Sequence, residues 1–219
     1  DADPSVRNVI GVLKAAPDIA RKVVKVRHMC AKMLEMIAGK SIHPQAAVPG
    51  GFSKPMSVEE RDKLKPMANE ALELAKFSIA FAKENIFPKY LDVVKTLGVI
   101  NTGFMGTVGA NGSLNVYDGK LRLMAPDGSF EDFAYDRYTD FIAEHIEPWS
   151  YLKFPYAKKW GAFSMELEKP SGIYRTNTLA RINVCDSIDT PLANAELQEF
   201  RQKFGRPAQL TLLYHWARL

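Results

Sequence analysis

The sequence predicts an α+β fold: mainly long packed helices, with a small antiparallel β-meander in the middle. Three observations carry this. Apolar residues recur every three or four positions through residues 1–98, which is the spacing of a helix face. Between residues 99 and 134 the period shortens to two, punctuated by Asn111-Gly112, Asp118-Gly119 and Asp127-Gly128. Asn-Gly and Asp-Gly tolerate the positive φ of tight hairpin turns. From 135 to 219 the chain is rich in loops and aromatic residues before helical spacing returns. The expected organisation is one domain, with residues 1–98 helical, residues 99–134 forming the meander and residues 135–219 loop-rich and helical.

Val6, Val9, Ile10 and Leu13 make residues 5–13 a short amphipathic helix. Pro17 suits the first position of a second helix, where its missing N–H is not needed. Ile19, Val23, Val26, Cys30, Met33 and Ile37 then form one apolar stripe. Gly39 ends it, because glycine takes the left-handed closing conformation. Cys30 lies in the stripe and is expected as a packed thiol. His28 lies off it, beside Arg27, and is expected at the surface.

Residues 39–51 read Gly-Lys-Ser-Ile-His-Pro-Gln-Ala-Ala-Val-Pro-Gly-Gly and cannot be helical. Pro44 disfavours the helical region for His43, which is expected to be extended. Pro49-Gly50-Gly51 is a turn signal. The loop is framed by its own residues and offers one imidazole, His43, and one ammonium, Lys40. Polar groups on such loops carry function more often than those on a helix face. The competing readings are a histidine that caps loop carbonyls and a solvated lysine.

Ser57-Val58-Glu59-Glu60 is a capping box that starts the next helix. Pro66 removes a helical hydrogen bond and is expected to kink or break it. Ala68, Leu72, Ala75, Ile79, Ala82 and Ile86 form a stripe that Leu74, Phe77 and Phe81 widen, so the helix is expected to meet more than one partner. Met67, Phe77 and Phe81 are expected in core packing rather than in a cofactor box. Pro88 breaks the pattern, residues 90–97 resume it, and Gly98 ends it.

Strand candidates follow at 104–108, 113–117, 120–124 and 129–133. Gly106, Gly109 and Gly112 are too irregular for a phosphate loop, and no Lys-Ser or Lys-Thr follows them. Residues 135–144 read as a short helix. Trp149, Tyr151, Phe154, Tyr156 and Trp160, interleaved with Lys153, Lys158 and Lys159, could stack on nucleobases. A loop packed on the core with its lysines in water is favoured, because the chain lacks a matching basic face. Residues 164–171 read as a variable insertion, and residues 174–183 alternate loosely. Arg181 stands there between Ala180 and Ile182, either in a buried ion pair or at the surface. Thr190 and Pro191 start a final helix that Gly205 stops. Residues 210–219 look helical with no stop signal, and the chain opens at Asp1. Both ends look cut, and the alternative is an ordinary C-terminal helix that frays.

With 47% hydrophobic residues, the 219-residue chain can bury a sizeable core. A net charge of +4, with both signs interspersed, suits a solvated surface rather than nucleic-acid binding. The two cysteines, Cys30 and Cys185, form neither a CxxC pair nor a disulfide framework, which suits a reducing cytoplasm. No apolar run approaches the roughly 20 residues of a membrane span, and no signal peptide is evident. A metal site from His28, Cys30 and His43 is weak, since helical residues two apart point to different faces. His145 beside Glu144 is only a pair of titratable neighbours. No catalytic or metal-ligating residue is assigned.

Gly39-Lys40-x-x-His43-Pro44-x-x-x-Val48-Pro49-Gly50-Gly51 resembles a signature of nickel–iron hydrogenase large subunits. Tyr174-Arg175-x-x-x-Leu179-Ala180-Arg181-x-Asn183, the run from Glu144 to Tyr156, and Asp189-Thr190-Pro191-Leu192-Ala193 resemble later patterns of the same family. The similarity is strongest to the cytoplasmic, methyl-viologen-reducing or bidirectional branch. Where the family usually has Gly-Pro before Leu-Ala-Arg, this chain has Asn177-Thr178.

The resemblance implies a central segment of a hydrogenase large subunit, lying between the family's two cysteine ligand motifs. By that resemblance the nickel–iron centre belongs to the full-length parent, this stretch holds no cofactor of its own, and it is inactive alone. The parent would pair with electron-transfer subunits and with an iron–sulfur small subunit, without nucleic acid or membrane. The signature containing Gly39, Lys40, His43, Pro44, Pro49, Gly50 and Gly51 would face the small subunit near an iron–sulfur cluster, and Arg181 would join a buried ion pair. Removed from the parent, exposed helix faces would drive self-association. The alternative is a metal-free helical module that binds another protein through residues 39–51 and the aromatic run.

Overall fold

A computed structural model describes residues 3–166 and 171–210. They fall into two compact units, one running to Pro88 and one starting at Lys89. The expected terminal helix, apart from Leu210, and residues 167–170 of the expected insertion lie outside the described residues.

In the first unit, a 3₁₀ turn Pro4–Val6 precedes α1, Val9–Ala15, and α2, Pro17–Ala38. The single helix expected over 5–13 is split because Asn8 starts α1 afresh, its side chain accepting from the Gly11 amide at 3.0 Å. Pro17 is the first residue of α2, and Gly39, at φ 79°, closes it in the left-handed conformation. The hairpin β1, Ala47–Val48, and β2, Gly51–Phe52, comes next. Then α3, Val58–Phe81, begins with both hydrogen bonds of the Ser57/Glu60 capping box in place.

Pro66 lies inside α3 without ending it. One lost hydrogen bond does not outweigh a long helix packed along α2. Nor does Pro88 interrupt the chain's helical course. A π-turn, Ala82–Ile86, leads directly into α4, Phe87–Thr96. The wider turn makes room for the proline ring and absorbs its missing N–H.

Helix α2 packs on α1 and α3. The Lys22 ammonium stands 4.9 Å from the Phe77 ring centroid, and the Lys25 ammonium donates to Glu70. The buried residues of α2 are Ala20, Val26, Met29 and Ala38. The expected stripe is therefore displaced: Cys30 is exposed, not packed, and so are Val23 and Ile37. Apolar residues occupy more than one side of α2, and the neighbouring helices selected the buried side. On α3, Leu64 is buried and Leu72 is not, while Met67, Phe77 and Phe81 are half-buried.

The second unit is built on a sheet. Strands β3, Gly103–Val108, β4, Lys120–Met124, and β5, Phe130–Phe133, form the expected antiparallel meander. Gly112, Gly119 and Gly128 all take positive φ at the Asn-Gly and Asp-Gly turns. Residues 113–117 are not a strand. They make only isolated bridges, because Asn115 Oδ1 accepts from the amides of Tyr117 and Asp118 and curls the chain.

The short helix expected at 135–144 is a 3₁₀ turn, Tyr135–Arg137, then α5, Tyr138–Phe141. Strand β6, Ile142–Ile146, follows and pairs antiparallel with β7, Lys153–Ala157. Most of the aromatic run is thus a hairpin with Trp149 and Tyr151 exposed at its tip, Tyr151 by 96%, while Trp160 beyond it packs on the core. Its lysines are engaged. Lys153 pairs with Glu144 at 3.0 Å, Lys159 pairs with Glu131 at 3.2 Å, and Lys158 donates to the Thr139 carbonyl at 2.6 Å.

Strand β8, Tyr174–Arg175, joins β3 in parallel, completing a sheet of order β5-β4-β3-β8. Helices α6, Thr178–Val184, and α7, Pro191–Phe204, close the unit. Asn177 caps α6, accepting from the Ala180 amide at 3.1 Å, and Thr178 takes the first helical position. Asn-Thr thus fills a cap and first-turn pair that Gly-Pro also suits. One sheet face buries Phe104, Val108 and Met124 against Leu179, Ala180, Val184, Leu197 and Phe200. Leu123, Phe133 and Ala157 form a second cluster with Met105, Leu121 and Trp160. A Cβ on Gly106 would lie 2.6 Å from Val184 Cγ2, so glycine lets α6 settle on β3.

Candidate functional site

The loop after α2 is short, turned and open to solvent. Val48 pairs with Gly51 and Ala47 with Phe52, and the Ser53 amide donates to the Ala46 carbonyl at 2.7 Å. Pro49 and Gly50, the latter at φ 93°, form the turn between them. Lys40, His43, Pro44, Pro49, Gly50 and Gly51 are all exposed, as are Ile42 (73%) and Phe52 (75%). Among the described residues neither the His43 imidazole nor the Lys40 ammonium has a hydrogen-bond or ion-pair partner.

His43 departs from expectation. Its φ is 50°, and it is the one non-glycine residue with positive φ among the described residues. It is therefore left-handed, not extended: the chain must reverse between Gly39 and β1, and the fold overrides the local preference set by Pro44. A non-glycine residue in this region stores conformational energy of about 1 kcal/mol or more. Such strain persists only where the surroundings enforce it.

A second polar constellation sits in the other unit, at the C-terminal end of α6, and sequence reading missed it. Arg122 on β4 is only 5% exposed. Its Nε and Nη2 donate to the two oxygens of Asp132 at 2.6 and 2.9 Å, and its Nη1 donates to Asp186 at 2.9 Å and to the Val184 carbonyl at 3.0 Å. Arg206 donates to Asp186 Oδ1 at 2.8 Å and to the Asn183 and Val184 carbonyls at 2.7 and 2.9 Å. Arg201 donates to the carbonyls of Cys185, Ile182 and Asp186. Three guanidinium groups thus satisfy the orphan carbonyls of a helix end, where cations are favoured by the macrodipole. Hydrogen bonding to Asp132 holds the Arg122 guanidinium above its usual pKa despite burial. Burial pushes the Asp186 carboxyl up, but Arg122 and Arg206 outweigh that and hold it below the ordinary carboxylate value. The overlooked signal was a charged residue on the apolar side of a strand, within Leu121-Arg122-Leu123-Met124.

Arg181 is half-buried on α6, and no carboxylate pairs with it among the described residues. The buried ion pairs of this unit belong to Arg122. Asn183, fully buried, donates to the Leu179 and Ala208 carbonyls at 2.9 and 3.2 Å and accepts from the Ala208 amide at 2.8 Å. His145 meets Glu147 through Nε2 at 2.8 Å rather than its neighbour Glu144, and its ring stacks on Phe163 at 4.9 Å.

A nickel–iron centre needs several soft thiolate ligands. Cys30 is exposed on α2 and Cys185 is buried in the core beneath α6. Among the described residues no three His, Cys, Asp or Glu side chains come together as a metal-binding group. The residues present do not fit such a centre, and no chemical step through it is assigned to them. No helix of the described residues is long and apolar enough to cross a membrane.

No protein-family profile matches the chain. Individual proteins do. The chain is 42% identical over 220 residues to the A subunit of the vhu F420-non-reducing hydrogenase of Methanococcus voltae, covering all of this chain and 50% of that protein. It is 33% identical over 226 residues to the beta subunit of the NAD-reducing hydrogenase HoxS of Cupriavidus necator, covering all of this chain and 45% of that one. The crystal structure of an NAD+-reducing nickel–iron hydrogenase in the H2-reduced state superposes with a TM-score of 0.81 at 35% identity, over 99% of this chain and 47% of that one. The chain spans about half the length of the curated relatives it matches. Fold and sequence together define a segment of a hydrogenase subunit. Over the half that these relatives share, the chain belongs to the nickel–iron hydrogenase large-subunit family. A free-standing, metal-free module is not favoured beside similarity that runs through the whole chain.

Proposed function

We propose that the chain serves an enzyme that oxidises dihydrogen and reduces protons, as the segment of its large subunit that meets an iron–sulfur small subunit through residues 39–51. The observation that carries this reading is an exposed loop whose Lys40 ammonium and His43 imidazole lack partners among the described residues and whose His43 is held at φ 50°. Strain at an exposed polar residue is common where a loop is preorganised for a partner. Ile42, Val48 and Phe52 supply apolar contact area around it, and aromatic anchors of this kind dominate interface energetics.

In this reading, the His43 imidazole donates a hydrogen bond toward the sulfur environment of a nearby cluster and tunes its potential. Lys40 pairs with an interface carboxylate or carbonyl. Arg181 takes its carboxylate from outside the described residues. The thiolates that hold nickel and iron lie elsewhere in the longer subunit, so this chain alone does not turn over dihydrogen. Electron-transfer subunits carry the electrons on to a soluble acceptor in the cytoplasm. Without the rest of the subunit, the exposed Val9, Ile10, Val12, Val23, Val24 and Leu34 drive self-association.

The test is co-expression of the longer large subunit with its small subunit. Phe52→Asp should abolish the complex on size-exclusion chromatography. His43→Ala should leave the complex intact and shift the reduction potential of one cluster in an EPR titration. An unchanged complex and an unchanged potential would together refute the docking assignment. The 219-residue chain alone should carry no stoichiometric nickel, and a full complement of nickel would overturn the ligand argument.

A further inference from the structure

The edge strand β8 carries a cation without an anion. Arg175 is half-buried opposite Phe104 of β3. Its Nη1 donates to the Leu210 carbonyl at 3.0 Å and its Nη2 to the Ile100 carbonyl at 2.7 Å. Among the described residues the remaining N–H groups of its guanidinium have no acceptor and no carboxylate pairs with it. Arg122, two strands away in the same sheet, has two carboxylates. A half-buried guanidinium that meets only neutral carbonyls is incompletely compensated, and its partial burial lowers the pKa of Arg175 accordingly.

The segments that hold Arg175 leave two more groups unfilled. Thr102 is 6% exposed, and its Oγ1 has no partner. Gln209 donates from Nε2 to the Thr102 carbonyl at 2.7 Å, while its buried Oε1 accepts nothing. The unmet needs are therefore an anion for the Arg175 fork, an acceptor for the Thr102 hydroxyl and a donor for the Gln209 amide oxygen. A free carboxylate meets the first two. An aspartate or glutamate within a polypeptide meets all three, because its backbone N–H supplies the donor.

We propose that this seam, lined by Ile100, Thr102, Arg175, Gln209 and Leu210, receives an acidic residue from the remaining half of the longer large subunit. This rests on the reading of the chain as a segment of such a subunit. The acid docks beside the free edge of β8, its carboxylate on the guanidinium and its main chain toward Gln209.

The test is a titration with sodium acetate, following the Arg175 Nε–H resonance, assigned by its loss in Arg175→Lys. In the 219-residue chain the resonance should shift saturably with acetate and not with sodium chloride at equal ionic strength. Thr102→Val should weaken acetate binding by about tenfold, the value of one charge-assisted hydrogen bond. In the longer subunit the resonance should already stand at the acetate-saturated position and not move. A resonance that ignores acetate in the chain alone, or that still titrates in the longer subunit, overturns the proposal. So does Glu168→Gln if it frees the resonance in the longer subunit, because the acid would then lie within this chain. None of these readouts involves dihydrogen turnover. A longer subunit that oxidises dihydrogen yet fails the titration refutes the seam and spares the hydrogenase reading.

Discussion

Replacing Arg122 by methionine should destabilise the second unit by about 3 kcal/mol, and the structure sets the terms of that figure. Four hydrogen bonds of 2.6–3.0 Å are lost, three of them to carboxylates. Removing one partner of a buried ion pair costs about 3–5 kcal/mol. The low end applies because the Asp132 and Asp186 side chains remain 28% and 42% exposed and can rehydrate, and because methionine refills much of the apolar stem. The Val184 carbonyl keeps a bond from Arg206, which limits the cost further. Urea unfolding followed by tryptophan fluorescence reads this directly, since Trp149 and Trp160 both lie beyond Lys89. For a unit of this size about 3 kcal/mol corresponds to roughly 6–12 °C in melting temperature.

The pH dependence has a definite sign. The Asp186 carboxyl titrates lower in the folded state than in the unfolded one, so its contribution is fully present above the unfolded value and is lost as pH falls through the folded value. The gap between the native chain and Arg122→Met should therefore be wide at about pH 7 and narrow below about pH 4, where carboxylates protonate. A loss under about 1 kcal/mol, or a gap that stays constant through the acid range, would refute the ion-pair account.

Two further substitutions probe the loop and the core. His43→Gly should stabilise the first unit by a few tenths of a kcal/mol up to about 1 kcal/mol, because glycine occupies positive φ without steric penalty; this unit holds no tryptophan, so urea unfolding followed by the far-ultraviolet circular dichroism of its helices reads it, and a destabilised variant would show that φ 50° stores no strain. Asn183→Leu should cost about 2–3 kcal/mol by leaving both main-chain groups of Ala208 unpaired in the core, and a neutral result would mean that this segment finds other partners.

The readings that held depend on a few neighbouring residues. The Ser57/Glu60 capping box, Pro17 at a helix start, Gly39 at a helix end and the Asn-Gly and Asp-Gly turns each close their hydrogen bonds within about one turn of chain. Nothing distant is needed to decide them. The shift from a helical to an alternating period likewise placed the meander between two helical regions, and the loop signature was legible as residue types in order.

Other features required partners that the chain brings from afar. Which side of α2 is buried was settled by α1 and α3, so Cys30 came out exposed although its spacing favoured the core. Among the described residues Arg122 makes the buried ion pairs, and sequence reading could not see them because its carboxylates lie 10 and 64 residues away. Residues 142–146 became a strand because 153–157 offered a ladder to pair with. His43 turned left-handed because α2 and the hairpin fix both of its ends. Local propensity differences amount to about 1 kcal/mol or less per residue, and a packed face or a paired strand outweighs them; that difference in scale separates what the residues decided alone from what only the folded chain could decide.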